Sequence, residues 1–160
     1  MAHSKHIIIQ LDTDSIIIGY EELLLEDLGK KKFKEALNSL SKAHTMLYTQ
    51  GAMVMGSPTK YFTVDVATKS DVYFSILPME LFSYHHLYFT GFICNGDETA
   101  VTPKLSSKKP HVSFKVTCGN KEEEVNYQLE ILLKYEGPGG KDKSISLVLD
   151  PRLRIRQTVG

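Results

Sequence analysis

The sequence has no surplus of either charge. Nineteen lysines and arginines offset nineteen aspartates and glutamates across 160 residues, and the pI is near 7.0. A general nucleic-acid binder carries a basic excess, so no nucleic-acid partner is expected. A chain near zero net charge also lacks self-repulsion and associates readily. Long apolar runs are missing too: nothing approaches the roughly 20 residues of a membrane span. The start, MAHSKHIIIQLDTDS, interrupts its apolar block at Gln10 and Asp12. It does not read as a secretory signal, and cytoplasmic localisation is the expectation. Cysteine is scarce, with only Cys94 and Cys118, in neither a CxxC pair nor a Cys/His run. That spacing argues against a structural zinc and for two buried thiols in a reducing compartment.

What is present is alternation. From residue 60 onward apolar side chains recur at every second position. KYFTVDVAT places Phe62, Val64 and Val66 on one face; DVYFSI places Val72, Phe74 and Ile76 together. HVSFKVTC points Val112, Phe114, Val116 and Cys118 inward. VNYQLEILLKY keeps Val125, Tyr127, Leu129, Ile131, Leu133 and Tyr135 on one face, and SISLVL and RLRIRQ close the series. HHLYFTGFIC is apolar on both faces and reads as a central strand. This is the pattern of half-buried antiparallel strands, joined by turn chemistry in CNGDET, CGNKEEE and YEGPGGKDK.

The expected fold is mainly β: an antiparallel β-sandwich of the jelly-roll or immunoglobulin-like class, one domain over 1–160, with one short helical insertion near 21–43. Within the insertion, Phe33, Leu37, Leu40, His44 and Leu47 fall three or four apart. The spacing predicts helix over about 31–42 and strand from about 44. Gly29 would end a short helix before it. The predicted core is Phe62, Val64, Phe74, Phe89, Phe114, Val116, Leu129, Ile131 and Leu147.

One segment suggests chemistry. IIIQLDTDSIII (7–18) is a hydrophobic strand ending in Asp-x-Asp, the way haloacid-dehalogenase-type phosphatases present a nucleophile and an acid/base. Such an enzyme also needs a parallel α/β sheet and a second acidic pair for magnesium, and Asp71 and Asp97 stand isolated. A metal held by Asp12 and Asp14 alone would lack oxygen ligands. The favoured reading is structural: Asp12 to Ser15 forms a bulge or turn in which short polar side chains satisfy backbone groups.

The other constellations are weaker. His85 and His86 are adjacent, so on a strand they face opposite ways and do not share a metal; His44 or His111 would have to complete a site. No nucleophile elbow G-x-S-x-G is present. Neither cysteine has a neighbouring base to activate it. PKLSSKKP reads as a solvated loop. Tyr48, Tyr61, Tyr73 and Tyr84 are spread over sheet positions from which they could stack on sugars. No catalytic residue, metal or cofactor is expected, and no ligand-binding residue is assigned.

Three stretches in order, HIIIQLDTDSIIIGY (6–20), the segment from Ala43 to Ile76, and LVLDPRLRIRQ (147–157), resemble the AidA/PixA inclusion-body protein family of bacteria. The shared positions are Asp12, Thr13, Tyr20, His44, Tyr48, Gly56, Thr59, Asp71, Asp150 and Pro151, with Asp14 beside them. The chain departs from the family at Ser70, where the family has glycine, in having no tryptophan, and in its helical 21–41 segment. The resemblance implies a non-enzymatic, self-associating protein, a homo-oligomer or larger assembly, linked to inclusions and to density-regulated host association. It also implies that Asp-Thr-Asp is the kink of a first strand. The alternatives are a lectin-like or adhesin-like module taking a glycan and, more remotely, a small Asp-based phosphatase.

Overall fold

Strand β1 (Ser4–Leu11) alternates cleanly, burying Ile7, Ile9 and Leu11. It is the centre from which one sheet grows. The computed structural model describes residues 4–49, 52–54, 63–80, 84–95, 101–102 and 106–157. Gly56, Thr59, Tyr61 and Phe62 lie outside these.

After β1 the chain does not kink and continue as strand. It enters helix α1 (Thr13–Leu25), then α2 (Lys30–Ala43). The expected single insertion near 21–43 is therefore two helices, beginning eight residues earlier. The isoleucines of IIIGY, a β-branched run that the resemblance implies is strand, follow a helix N-cap: Asp12 accepts from the Ser15 N–H at 3.2 Å. Such a cap satisfies one of the orphan donors at a helix start. The strand-kink reading of Asp-Thr-Asp is corrected accordingly, while the expectation that its side chains satisfy backbone groups holds. The helices form a hairpin with a close contact at Gly19, where a Cβ would lie 2.6 Å from Leu40 Cδ1. Tyr20 meets Phe33 edge-on at 5.9 Å.

The strands form two sheets, neither closed into a barrel. The first has the order β3 (Ala52–Val54), β2 (Thr45–Thr49), β1, β5 (Asp71–Pro78), β9 (Ser113–Cys118), β7 (Val101–Thr102). The second runs β4 (Thr63–Ala67), β12 (Arg152–Arg156), β10 (Glu123–Glu136), β6 (His86–Asn95), β8 (Ser106–His111), with β11 (Asp142–Leu149) also on β10. Both sheets are mixed: β1 pairs β5 in parallel, and β12 pairs β4 in parallel. The purely antiparallel expectation is thus corrected. Parallel strands need a long crossover, and the connection from β1 to β5 supplies one, running through both helices, β2, β3 and β4.

β10 is the spine of the second sheet. Along one edge it pairs first with β12 and then with β11 in a single unbroken register: Asn126 faces Arg152 and Leu129 faces Leu149. Only Asp150 and Pro151 separate the two partners. Pro151 has no N–H to give the ladder, though its carbonyl still accepts from Tyr127 N–H at 3.2 Å. Proline thus sits at the start of a strand, where it is tolerated.

On the other edge, the β10–β6 register slips between Glu130 and Ile131. The slip leaves Thr90 as an extra residue and flips the inward phase of β6 from Leu87 and Phe89 to Phe92 and Cys94. This bulge explains why HHLYFTGFIC reads as apolar on both faces.

One apolar cluster draws on both sheets and both helices. Phe74 of the first sheet contacts Phe92 and Tyr127 of the second, each at 5.7 Å between ring centres. Every described member of the predicted core is buried except Phe114, which is half-buried, stacked on Phe74 at 4.9 Å and edge-on to Phe89. Val112, expected inward, is 59% exposed. It precedes β9 in a bend, where the alternation no longer applies. Cys94 and Cys118 are both buried, and burial pushes the Cys118 thiol up to about 11. The Tyr127 hydroxyl is buried with no hydrogen-bond partner among the described residues.

Candidate functional site

A concavity lies where α1 runs past the tip of the β10–β11 hairpin. It is an open groove of about 640 Å³, lined by Asp14, Ile17, Ile18, Glu21, His85, Tyr135, Glu136, Gly137, Pro138 and Lys143. A second hollow of about 390 Å³ shares Tyr135, Glu136 and Lys143 and adds Tyr84, His86, Lys134, Asp142 and Ser144.

The helix cap sets the first wall. Both Asp12 carboxylate oxygens are engaged by Ser15, one by its N–H and the other by its hydroxyl at 2.7 Å. The Asp12 N–H donates to the His44 carbonyl at 2.9 Å, tying the end of β1 to the end of α2. Thr13, buried, shares a 2.6 Å hydrogen bond with His85 Nδ1. Asp14 approaches the same ring nitrogen at 3.8 Å. A nucleophile–histidine–carboxylate relay uses both ring nitrogens, one for each partner. Here threonine and aspartate converge on one, so the contact positions the ring and does not build a relay.

The opposite wall is an ionic cluster. Tyr135 donates to Glu21 Oε1 at 2.8 Å and Lys143 Nζ donates to the same oxygen at 3.2 Å. The Tyr135 hydroxyl, followed by the Lys143 ammonium, holds the Glu21 carboxyl below its usual range. Burial and then the Glu21 bond push the Tyr135 phenol up to about 12. The His85 ring meets the Tyr135 ring edge-on at 6.5 Å. On the outer face of the sheet His86 stacks with Tyr88, and Lys134 Nζ lies 5.8 Å above the Tyr88 ring. The two histidines thus serve different hollows. No group of three or more His, Cys, Asp or Glu among the described residues could hold a metal ion.

Of the candidate residues read from the sequence, the groove gathers Asp14 and His85 in its lining, with Thr13 behind His85 and Asp12 at the cap. The rest are dispersed. Tyr20 packs within the helical hairpin. His44 caps α2. Tyr48 donates to Met46 Sδ at 3.3 Å. Asp71 accepts from Thr117 at 2.8 Å. Asp150 pairs with Lys42 at 2.8 Å, which draws the C-terminal Asp-Pro step towards the helices. Tyr73 stacks on His6 at 4.9 Å. Glu21, Tyr135 and Lys143 were not singled out as site residues. Tyr135 was legible as an inward position of β10, but its meeting with a helix residue 114 positions away carries no local signal.

No helix among the described residues is long and apolar enough to cross a membrane. No protein-family model matches this sequence, and no curated protein matches it. The fold does have a counterpart among solved structures. It is similar to the crystal structure of an inclusion body protein, PixA, from Burkholderia cenocepacia J2315, with a TM-score of 0.65 at 8% sequence identity, covering 98% of this chain and 97% of that one.

Proposed function

We propose that this chain is a non-enzymatic protein of the inclusion-body kind that works by associating with copies of itself. The observation that carries the reading is the end-to-end likeness of fold to the PixA inclusion body protein. A net charge of zero supports it, because little long-range repulsion opposes association. So does the exposed apolar surface of α1, where Ile18, Leu24 and Leu25 are all exposed. The phosphatase alternative is not favoured, because Asp12 is occupied in capping a helix.

The test is sedimentation velocity over a hundredfold range of protein concentration at neutral pH, run beside phosphate release from a phosphoester panel with magnesium. The expected result is concentration-dependent growth and no turnover. A monomer at every concentration would reject self-association. Turnover that disappears in Asp12→Asn would restore the enzyme.

A second reading, a lectin-like or adhesin-like module, is favoured by one feature. Tyr84, 84% exposed, stands on the rim of the smaller hollow, where a ring face is open to a sugar. A glycan array compared with that of Tyr84→Ala tests it.

A further inference from the structure

We propose that the acidic groove beside α1 receives the lysine-rich start of α2 from a second copy of this chain, joining copies head to tail. This rests on the self-association reading and names the two surfaces that perform it.

The donor surface is Lys30, Lys31, Lys32 and Lys34, all exposed. They occupy the first turns of α2, whose first turn contains no acidic residue and whose Gly29 cap offers no side chain. Cations at that end of a helix oppose its macrodipole, so the arrangement is locally unfavourable. None of the four forms an ion pair among the described residues, although Lys42, Lys143, Arg152 and Arg154 all do. Glu26 and Asp27 before the run and Glu35 after it leave the segment one charge positive.

The acceptor surface has the opposite balance. Asp14, Glu21 and Glu136 line the groove against one cation, Lys143, which is already held by Glu21. Ile17 and Ile18 line the same groove, and Ile18 is 60% exposed. Lysine fits such a surface, its methylene stem lying on apolar atoms and its ammonium reaching carboxylates.

The two surfaces lie apart on one molecule. Because α1 and α2 form a hairpin, Lys30 sits by the far end of α1 from Asp14. A contact between two different patches is heterologous; unless its rotation closes a ring, it leaves a free donor and a free acceptor on every growing end. That is the geometry of an assembly that extends, as an inclusion must.

The experiment is charge reversal with complementation. One variant carries Lys31→Glu, Lys32→Glu and Lys34→Glu; the other carries Asp14→Lys and Glu136→Lys. Each is checked by urea unfolding, and Glu136→Lys alone, at the exposed hairpin tip, serves if the double change unfolds. In sedimentation velocity at about 50 mM salt, each variant alone should need at least a tenfold higher concentration than the parent to associate. Their equimolar mixture should recover the parent's behaviour. Raising salt to about 0.5 M should weaken the parent's association, since exposed charges are then screened within a few ångströms. A parent that associates, with either variant associating equally well, overturns this contact and leaves the broader reading standing. So does a mixture that fails to recover. A parent that stays monomeric overturns both.

Discussion

Tyr135 of β10 donates its phenolic proton to Glu21 of α1 at 2.8 Å, pinning the helical hairpin to the tip of the longest strand hairpin. Tyr135→Phe keeps the ring and removes this bond. It should lower stability by about 0.5–1.5 kcal/mol, read as a shift in urea midpoint at constant slope.

The same bond has a pH signature. The Tyr135 phenol is pushed up to about 12 from its usual 10, by burial first and then by Glu21. Between those values the unfolded phenol loses its proton while the folded one keeps it. Stability contributed by the bond is therefore complete below about pH 10 and is lost as pH rises towards 12. Glu21 is shifted the other way, downward from 4.5. Its contribution is present above pH 4.5 and is lost as pH falls through the lowered value. Urea midpoints across both windows, parent against Tyr135→Phe, should converge at the alkaline end.

Asp12→Ala removes the α1 cap and should cost about 1 kcal/mol, within a range of roughly 0.5–2. Ser15→Ala removes only the hydroxyl that grips the second carboxylate oxygen and should cost less. The double variant should fall short of the sum, because both changes act on one cap. Chemical denaturation of the three variants checks the cycle.

Tyr127→Phe should leave the protein equally stable or stabilise it by up to about 3 kcal/mol. The hydroxyl is buried without a partner among the described residues, and a buried unsatisfied group costs about 1–3 kcal/mol. A fall in unfolding midpoint would show that the hydroxyl has a partner.

Phe74→Ala and Phe114→Ala should separate. Phe74 is fully buried and its truncation should cost about 3–5 kcal/mol. Phe114 is half-buried and keeps only part of that burial, together with its stacking on Phe74. About 1.5–3 kcal/mol is expected for it, scaled down from the fully buried case. Equal losses in denaturant unfolding would place both rings in the same environment.

Period-two alternation was enough to read β5, β10 and most of β9, because each presents one face to a shared core for its whole length. Other stretches need more than alternation, each for a physical reason. Ile16, Ile17 and Ile18 continue an apolar run but follow a helix cap, and a cap overrides the β preference of branched side chains. β6 is the central strand its sequence suggests, and Thr90 adds a residue to it, so two half-patterns overlap into one that looks apolar throughout. Val112 lies one step beyond its strand. The parallel pairings were not legible, since a strand looks the same whichever way its neighbour runs. The groove was legible only at Asp14 and His85. Its other wall depends on Glu21 meeting Tyr135 and Lys143, which no local spacing encodes.

The split partnership of β10 also imposes an order of events on a growing chain. β10 can fold back on β11 across a five-residue turn as soon as both exist. Among the described residues β4 pairs only with β12, and Thr63 pairs with Arg152. At synthesis rates of about 5–20 residues per second, roughly 5–20 s pass between the emergence of the two. During that interval β4 lacks the one strand it pairs with among the described residues, and its backbone is open to the same strand on a neighbouring nascent chain. The five residues of β12, Arg152–Arg156, are what end that exposure.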